Sequence, residues 1–467
     1  MYGENKMNMI LNTDSYKISH WLQYPPDTKQ VSAYIESRGG RFNRTVFFGL
    51  QMFLKEYMMY DKFLKADDII EAEDFLSAHG EPFNKKGFID LMALGYWPVL
   101  IQAVPEGTIV PTGNVLVQIT NTHPDFFWLP SFLETALLRG VWYPTTVCTL
   151  SWMIRQMIQE YMNLTSCGKS VIEFKLHDFG ARGASSFETA SIGGCAHLVN
   201  FMGTDTMAGI LYAKKFYGEE MAGFSIPAAE HSTITSWGGR EGEIDSFKNM
   251  LNQFAKPGKL VAVVSDSYDI MHAINELWGK KLKKKIIDSG ATLVVRPDSG
   301  NPVTIVRDVI KALMNSFGYE TNAKGYDVLP DCVRVIQGDG VEYDSIKDIL
   351  VEMTNCKLST DNIAFGMGGA LLQNLNRDFL KFAMKTSAIL INDQWIDVYK
   401  DPITDHGKKS KKGKLALVKD INGDFKTIRK DESYIFGMKD HLIDVYKNGQ
   451  ILREYPFIEI RDRARGC

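Results

Sequence analysis

Short apolar runs, each ending in a small or acidic loop, recur through the middle of the chain, and that rhythm restricts the fold more than any other feature. Runs starting at Val261, Leu293, Val333 and Ile363 lead into Ser265-Asp266-Ser267, Arg296-Pro297-Asp298-Ser299-Gly300, Gln337-Gly338-Asp339-Gly340 and Gly366-Met367-Gly368-Gly369. Their starts lie 32, 40 and 30 residues apart. Helical periodicity fills the gaps, as over 267–277 and 303–314, so the repeat is one of βα units. Strands that are apolar without alternation belong to a sheet covered on both faces. An earlier run over 174–176, followed by His177-Asp178-Phe179-Gly180, joins the set, with further strand candidates near 198–201 and 223–226. The expected fold class is α/β, with an irregular, closed or nearly closed α/β barrel over residues 146–385.

The flanks read differently. Residues 1–145 carry helical periodicity over 48–57 and 67–78. Strand-like runs then follow, punctuated by Pro105-Glu106-Gly107 and Pro111-Thr112-Gly113-Asn114. Residues 386–467 carry Asn422-Gly423 and Asn448-Gly449 between strand-like runs, a two-residue hairpin signal. The two textures match, so 1–145 plus 386–467 are expected to form a second, discontinuous α+β domain rich in antiparallel strands.

Composition narrows the class. Hydrophobic residues at 45% and charged residues at 23% exclude a disordered or collagen-like chain. With 53 basic and 56 acidic residues the net charge is −3, which argues against nucleic acid or an anionic membrane as a partner. The basic runs 280–285 and 408–414 read as solvated surface. The six cysteines form no C-x-x-C pair, which fits reduced, cytosolic usage rather than a zinc or disulfide framework. The first twelve residues hold no cleavable apolar core, and no run of 18 apolar residues occurs. A cytoplasmic protein is expected.

Functional groups of α/β barrels sit at the C-terminal ends of the strands. That is where Arg182, Asp205, His231, Asp266, Arg296, Asp298 and Asp339 fall. One acidic strand end means little, since Asp also caps helices, and Asp266 reads equally well as a cap or a site residue. Several such loops carrying Asp, Gly and Arg point to a phosphorylated sugar. Guanidinium forks grip phosphate, and carboxylates hold ribose hydroxyls or Mg²⁺. Gly366-Met367-Gly368-Gly369 precedes Leu371, Leu372, Leu375, Phe379 and Phe382 at helical spacing, so a phosphate at a helix N-terminus is a further expectation. Gly168-Lys169-Ser170 lacks the first glycine of a P-loop and is set aside.

Taken in order, Thr13-Asp14-Ser15-Tyr16-Lys17, Leu176-His177-Asp178-Phe179-Gly180, Gly203-Thr204-Asp205-Thr206, Pro227-Ala228-Ala229-Glu230-His231-Ser232-Thr233, Val264-Ser265-Asp266-Ser267, Arg296-Pro297-Asp298-Ser299-Gly300 and Gln337-Gly338-Asp339-Gly340 resemble the nicotinamide phosphoribosyltransferase family. The resemblance implies the type II phosphoribosyltransferase architecture. It also implies transfer of the phosphoribosyl group of phosphoribosyl pyrophosphate to nicotinamide, and homodimers with both sites at the interface. By the same resemblance, Arg182, His231 and Arg296 hold the diphosphate, joined by Arg38, Arg377, Lys400 and Lys412 of the other subunit. Asp298, Gly338, Asp339, Gly368 and Gly369 hold the ribose and 5′-phosphate. The pyridine ring stacks between Phe179 and a Tyr16 from the other subunit, with Asp14 and Ser225 also lining the substrate site and Asp205 reading the carboxamide. His231 is phosphorylated by ATP, with Asp266 and Asp298 as its catalytic partners. Mg²⁺ arrives on the pyrophosphate, with no protein ligands assigned. Two departures from animal members are Ala181 in place of Tyr and Met367 in place of Ser.

Two other readings compete. A nicotinate or quinolinate phosphoribosyltransferase shares the phosphate logic but wants a cation for the substrate carboxylate, where this chain has Asp205. A non-catalytic signalling or scaffold protein has no use for Asp205, His231 and the arginines together. A barrel aldolase or sugar-phosphate isomerase also fits the bare motifs, but no Schiff-base lysine stands at a strand end.

Overall fold

The computed structural model describes residues 7–404 and 409–466. Lys408, the first lysine of the second basic run, and Cys467 lie outside the described residues. The chain divides into two compact units: Met1–Thr149 with Lys215–Glu219 and Asn376–Cys467, and Leu150–Lys214 with Glu220–Leu375. No helix among the described residues is long and apolar enough to cross a membrane.

The first unit is built on a seven-stranded antiparallel sheet. Its spatial order is Gln394–Asp397, Phe382–Ile391, Thr28–Ser37, Val115–Asn121, Val99–Ala103, Ile443–Lys447 and Gln450–Ile451. Three strands from the N-terminal part of the chain lie at its centre, flanked on each side by two from the C-terminal part. Asn448-Gly449 turns Ile443–Lys447 back onto Gln450–Ile451, with Asn448 at φ 50° and Gly449 at φ 82°, as a two-residue turn requires. Asn422-Gly423 does not make the expected two-residue turn: it sits in the loop 420–424 between Leu415–Lys419 and Phe425–Arg429, where Gly423 (φ 84°) bonds back to Asp420 O at 3.0 Å. Residues 376–385, grouped by texture with the barrel, fall in this unit. Phe382–Ile391 pairs along its length with Thr28–Ser37, so that strand belongs to the antiparallel sheet.

The second unit holds the repeated βα units. Its strands are β1 (Leu176–Asp178), β2 (Gly203–Thr204), β3 (Leu260–Val264), β4 (Thr292–Arg296), β5 (Val333–Gln337) and β6 (Ile363–Met367). They are all parallel, in the order β2-β1-β6-β5-β4-β3. Residues 224–229 join the two edges. Thr204 N donates to Phe224 O (3.0 Å), Ala262 N to Pro227 O (2.9 Å) and Ala229 N to Ala262 O (3.0 Å). Pro227 has no N–H to give, which explains why this closing segment makes isolated bridges and not a strand. Ala262, Val294 and Ile336 form the inner apolar layer, with Ala364, Ile226 and Phe179 packed on it. Residues from four strands and the closing segment therefore meet inside one ring.

The intervening helices follow their sequence signals. Pro302–Phe317 starts with proline at its first position, and Asn301 Oδ1 accepts from Val303 N (3.0 Å). It buries Val306, Val309, Ile310 and Leu313, a helical stripe. Two expectations fail. Residues 198–201 are the buried end of helix Phe187–His197, and the strand begins only at Gly203. A short apolar run has no period by which to tell strand from buried helix end. The helix expected through Phe382 is one turn, Gly369–Leu372. Gln373 N and Asn374 N both bond back to Gly369 O, which ends it, and Asn376 Oδ1 then caps Asp378 N (2.9 Å) and Phe379 N (3.0 Å). So short a helix has little dipole, and the anion-binding argument built on it lapses.

Candidate active site

His231, Asp266, Arg296 and Asp298 meet at the C-terminal ends of the barrel strands. His231 opens the short helix His231–Thr235, its side chain 46% exposed. Its Nε2 lies 3.1 Å from Asp266 Oδ1, and its Nδ1 3.8 Å from Asp298 Oδ2. Asp266 is nearly buried, at 5% side-chain exposure. Its Oδ2 accepts from Asp298 N (3.0 Å) and Ser299 Oγ (2.5 Å). The cap-or-site ambiguity resolves here: Asp269, not Asp266, caps helix Ile270–His272, accepting from His272 N at 3.0 Å. Asp266, with both its oxygens hydrogen-bonded, anchors the imidazole at Nε2, while Nδ1 faces the Asp298 carboxylate.

Arg296 ends β4. Its Nε is ion-paired with Asp298 Oδ1 at 3.6 Å, and among the described residues that buried Nε has no closer hydrogen-bond partner. A guanidinium suits a phosphate or diphosphate anion. Gly338, just past β5, marks where three groups converge. A Cβ placed there would lie 3.5 Å from Phe179 Cε2, 3.6 Å from Asp298 Oδ1 and 3.7 Å from Arg296 Cδ. Asp339 is exposed next to it, its carbonyl accepting from Gln337 Nε2 at 2.7 Å.

Phe179 follows β1, its N–H on Met367 O (2.9 Å). Its ring lies flat over Gly366 in β6, so close that any Cβ there would overlap it. Gly366→Ala is therefore expected to displace the ring, costing about 1–3 kcal/mol of stability. The variant should also raise the KM of a ring-shaped substrate more than it lowers kcat, as thermal melts and steady-state kinetics would register. Arg182 is exposed on the turn Ala181–Gly183, and a Cβ on Gly183 would stand 3.3 Å from Gly369 Cα. That brings Arg182 beside Gly368 and Gly369, which have open space around them. Asp205 is exposed after β2. Its side chain accepts a short hydrogen bond from Ser225 Oγ, and its N–H bonds Asp178 O at 2.9 Å.

Asp14, Tyr16, Arg38, Arg377, Lys400 and Lys412 belong to the first unit. Asp14 Oδ2 accepts from Thr135 Oγ1 (2.6 Å), and Tyr16 is 55% exposed. Arg38 Nε bonds Glu36 Oε1 (3.0 Å), and its guanidinium also acts on the Tyr34 hydroxyl. Arg377 pairs with Asp378 (3.4 Å), Lys400 N bonds Ser410 Oγ (2.9 Å), and Lys412 Nζ lies 5.3 Å from the Tyr399 ring centroid.

Several residues were not singled out by sequence. Lys385 shares its surroundings with Arg38, Lys400 and Lys17; burial foremost, then these cations, hold its pKa down against the pull of Glu134. Trp278 Nε1 donates to Ser265 Oγ (3.1 Å), steadying the residue before Asp266. Glu243 is 2% exposed at the start of helix Glu243–Phe254. Burial pushes its carboxyl up to about 7, against the Arg240 guanidinium and with help from Asp269 and Asp266. Asp178 is fully buried, and burial raises its pKa from 3.8 to about 6. The folded state thus holds that proton more tightly than the unfolded chain, so stability falls as pH rises from about 4 through about 6. Melting temperatures across that range should show the loss in the wild type and a smaller one in Asp178→Asn. Only Asp178, within a quoted motif, had any sequence signal.

A parallel α/β ring with cations and carboxylates at its strand ends, in a chain that also folds an antiparallel unit, is the architecture of a type II phosphoribosyltransferase. A crystal structure of nicotinate-nucleotide pyrophosphorylase from Pyrococcus furiosus superposes with a TM-score of 0.63 at 18% identity, covering 100% of this chain and 97% of that one. Human nicotinic acid phosphoribosyltransferase superposes at 0.56 with 17% identity, over 97% and 92%. The nicotinate phosphoribosyltransferase (NAPRTase) family profile matches residues 174–450, and that of the nicotinamide phosphoribosyltransferase N-terminal domain matches 8–99. A nicotinamide phosphoribosyltransferase of Xanthomonas campestris is 53% identical over 98% of both chains. One of Acinetobacter baylyi is 30% identical over 98% of this chain and 97% of its own. The chain belongs to the nicotinamide phosphoribosyltransferase family.

Proposed function

We propose that this protein transfers the phosphoribosyl group of phosphoribosyl pyrophosphate to nicotinamide, giving nicotinamide mononucleotide and pyrophosphate, a step of NAD salvage. The observation that carries this reading is the joining of Arg296, Asp298, His231 and Asp266 in one cluster beside Phe179, with Asp205 bonded through its N–H to Asp178 O, next to Phe179 in the chain. Substitution at the anomeric carbon develops positive charge on the ribose and negative charge on the leaving diphosphate. Asp298 faces the ribose, Gly338 and Asp339 accommodate its hydroxyls, and Arg296 and Arg182 offset the diphosphate charge. Phe179 supplies a flat face for the pyridine, and the Asp205 carboxylate accepts from the carboxamide NH₂.

Mg²⁺ is held in most phosphate enzymes by one or two carboxylates and by the substrate's own phosphates. The exposed part of Asp298 fits such a role, and the ion would neutralise the departing diphosphate. ATP enters as a coupling co-substrate. His231 Nδ1 attacks its γ-phosphorus, the N–P bond forms as the β–γ P–O bond breaks, ADP leaves, and water later hydrolyses the phosphohistidine. The enzyme works as a homodimer in the cytoplasm. Tyr16, Asp14, Arg38, Arg377, Lys400 and Lys412 of a second copy complete each site; the exposed Tyr16 ring supports this.

The test is incubation with phosphoribosyl pyrophosphate, Mg²⁺ and either nicotinamide or nicotinate, with and without ATP, followed by chromatography of the mononucleotides. Nicotinamide mononucleotide is the expected product, in larger yield with ATP. Preferred formation of nicotinate mononucleotide, or no product from either pyridine, overturns the reading.

A further inference from the structure

Asp178 spends a buried carboxyl where an apolar residue would cost less. It is fully buried at the end of β1, and among the described residues the Thr206 hydroxyl is the only polar side chain that acts on it as a hydrogen-bond donor. Burying a carboxyl is unfavourable, and such groups concentrate at functional sites. The surroundings are shaped to admit it. A Cβ on Gly180 would stand 3.0 Å from Asp178 Oδ1, and one on Gly194 would stand 3.4 Å from Oδ2 and 2.9 Å from Thr206 Cγ2. Gly209 in turn touches Gly194, where a Cβ would come within 2.8 Å of its Cα. Three glycines thus leave a cradle that holds a carboxyl.

What Asp178 holds is the pyridine end of the site. Its Oδ1 accepts from Gly180 N (2.7 Å), closing the turn that carries Phe179. Its carbonyl accepts from Asp205 N (2.9 Å), fixing the loop that carries the carboxamide reader. The nearby Asp205 carboxylate adds a small push to the Asp178 carboxyl in the same direction as burial, which is the larger cause. We propose that Asp178 positions Phe179 and Asp205 together and adds a second, buried negative charge against any pyridine bearing a carboxylate. It touches no substrate and acts through those two residues.

This inference rests on the nicotinamide reading, and the test keeps the two apart. Asp178→Asn retains an acceptor for Gly180 N and offers an NH₂ toward Thr206 while removing the charge. Asp178→Ala removes both. With nicotinamide and nicotinate as paired substrates, Asp178→Asn is expected to narrow the ratio of kcat/KM by about 3- to 10-fold, within the range of a screened or secondary charge contact. Asp178→Ala is expected to raise the nicotinamide KM about tenfold with a smaller change in kcat, the cost of a misplaced binding surface. Should Asp178→Asn keep the wild-type ratio, and Asp178→Ala change melting temperature without changing KM, Asp178 is structural and the proposal fails. A wild-type protein inactive toward both pyridines overturns the underlying function, and this inference with it.

Discussion

Asp205→Asn is expected to cut the preference for nicotinamide over nicotinate, as the ratio of kcat/KM, by about 10- to 100-fold. The magnitude follows from a hydrogen bond to a charged group, about 1.5–3 kcal/mol, at tenfold per 1.4 kcal/mol. An ionised carboxylate only accepts. It therefore welcomes the NH₂ of a carboxamide and repels the carboxylate of nicotinate, which differs from nicotinamide in that group alone. An asparagine amide can turn either end toward the substrate, so the variant gains tolerance for nicotinate while keeping a partner for nicotinamide. The substitution is mild for the fold: Asp205 is exposed, its main-chain bond to Asp178 O is unaffected, and the asparagine oxygen still accepts from Ser225. Paired kinetics with the two pyridines measure the effect. An unchanged ratio removes Asp205 from selectivity and leaves rejection of nicotinate to other groups.

The barrel was legible because its strands are buried on both faces, which leaves continuous apolar runs that need no partner to be recognised. Runs beginning at Val261, Leu293, Val333 and Ile363 are strands whose ends differ by a residue or two from the apolar stretch. The ends moved because Arg296, Gln337 and Met367 continue the ladder while looking like loop. Residues 198–201 misled for the converse reason, since complete burial erases the helical period. The chemistry at the strand ends was visible residue by residue; its connections were not. That Asp269 takes the capping role and releases Asp266 to His231 depends on two loops meeting. That Gly366 must be glycine depends on Phe179 lying across it from another strand. That Asp178 is sealed among three glycines depends on helices at distant positions in the chain. Nearest-neighbour patterns carry no information about such approaches, which is why the site's residue types could be read while its supports could not.

His231→Ala should abolish the response to ATP while retaining basal transfer. The imidazole is half exposed, so ATP can reach it, and under the proposed mechanism Asp266 accepts from Nε2–H so that Nδ1 makes the attack. An alanine has no atom to phosphorylate, and the rate with ATP should equal the rate without it. Basal transfer persists because Arg296, Asp298, Phe179 and Asp205 remain, and groups that orient substrates and meet transition-state charge retain most of their effect when one member is lost. Asp266→Asn separates nucleophile from orienter. Its amide keeps the shape but can present an N–H to Nε2, favouring the tautomer with its proton on Nδ1, and a wrong tautomer can cost a His-based mechanism several powers of ten, as in serine proteases where the loss is about 10⁴. Retention of acid-labile ³²P from γ-labelled ATP on the wild type, and its loss in both variants alongside the loss of stimulation, is the expected pattern. If ATP still accelerates His231→Ala, the nucleotide acts by binding elsewhere, and the reading of Asp266 and Nδ1 as a phosphoryl-accepting pair falls with it.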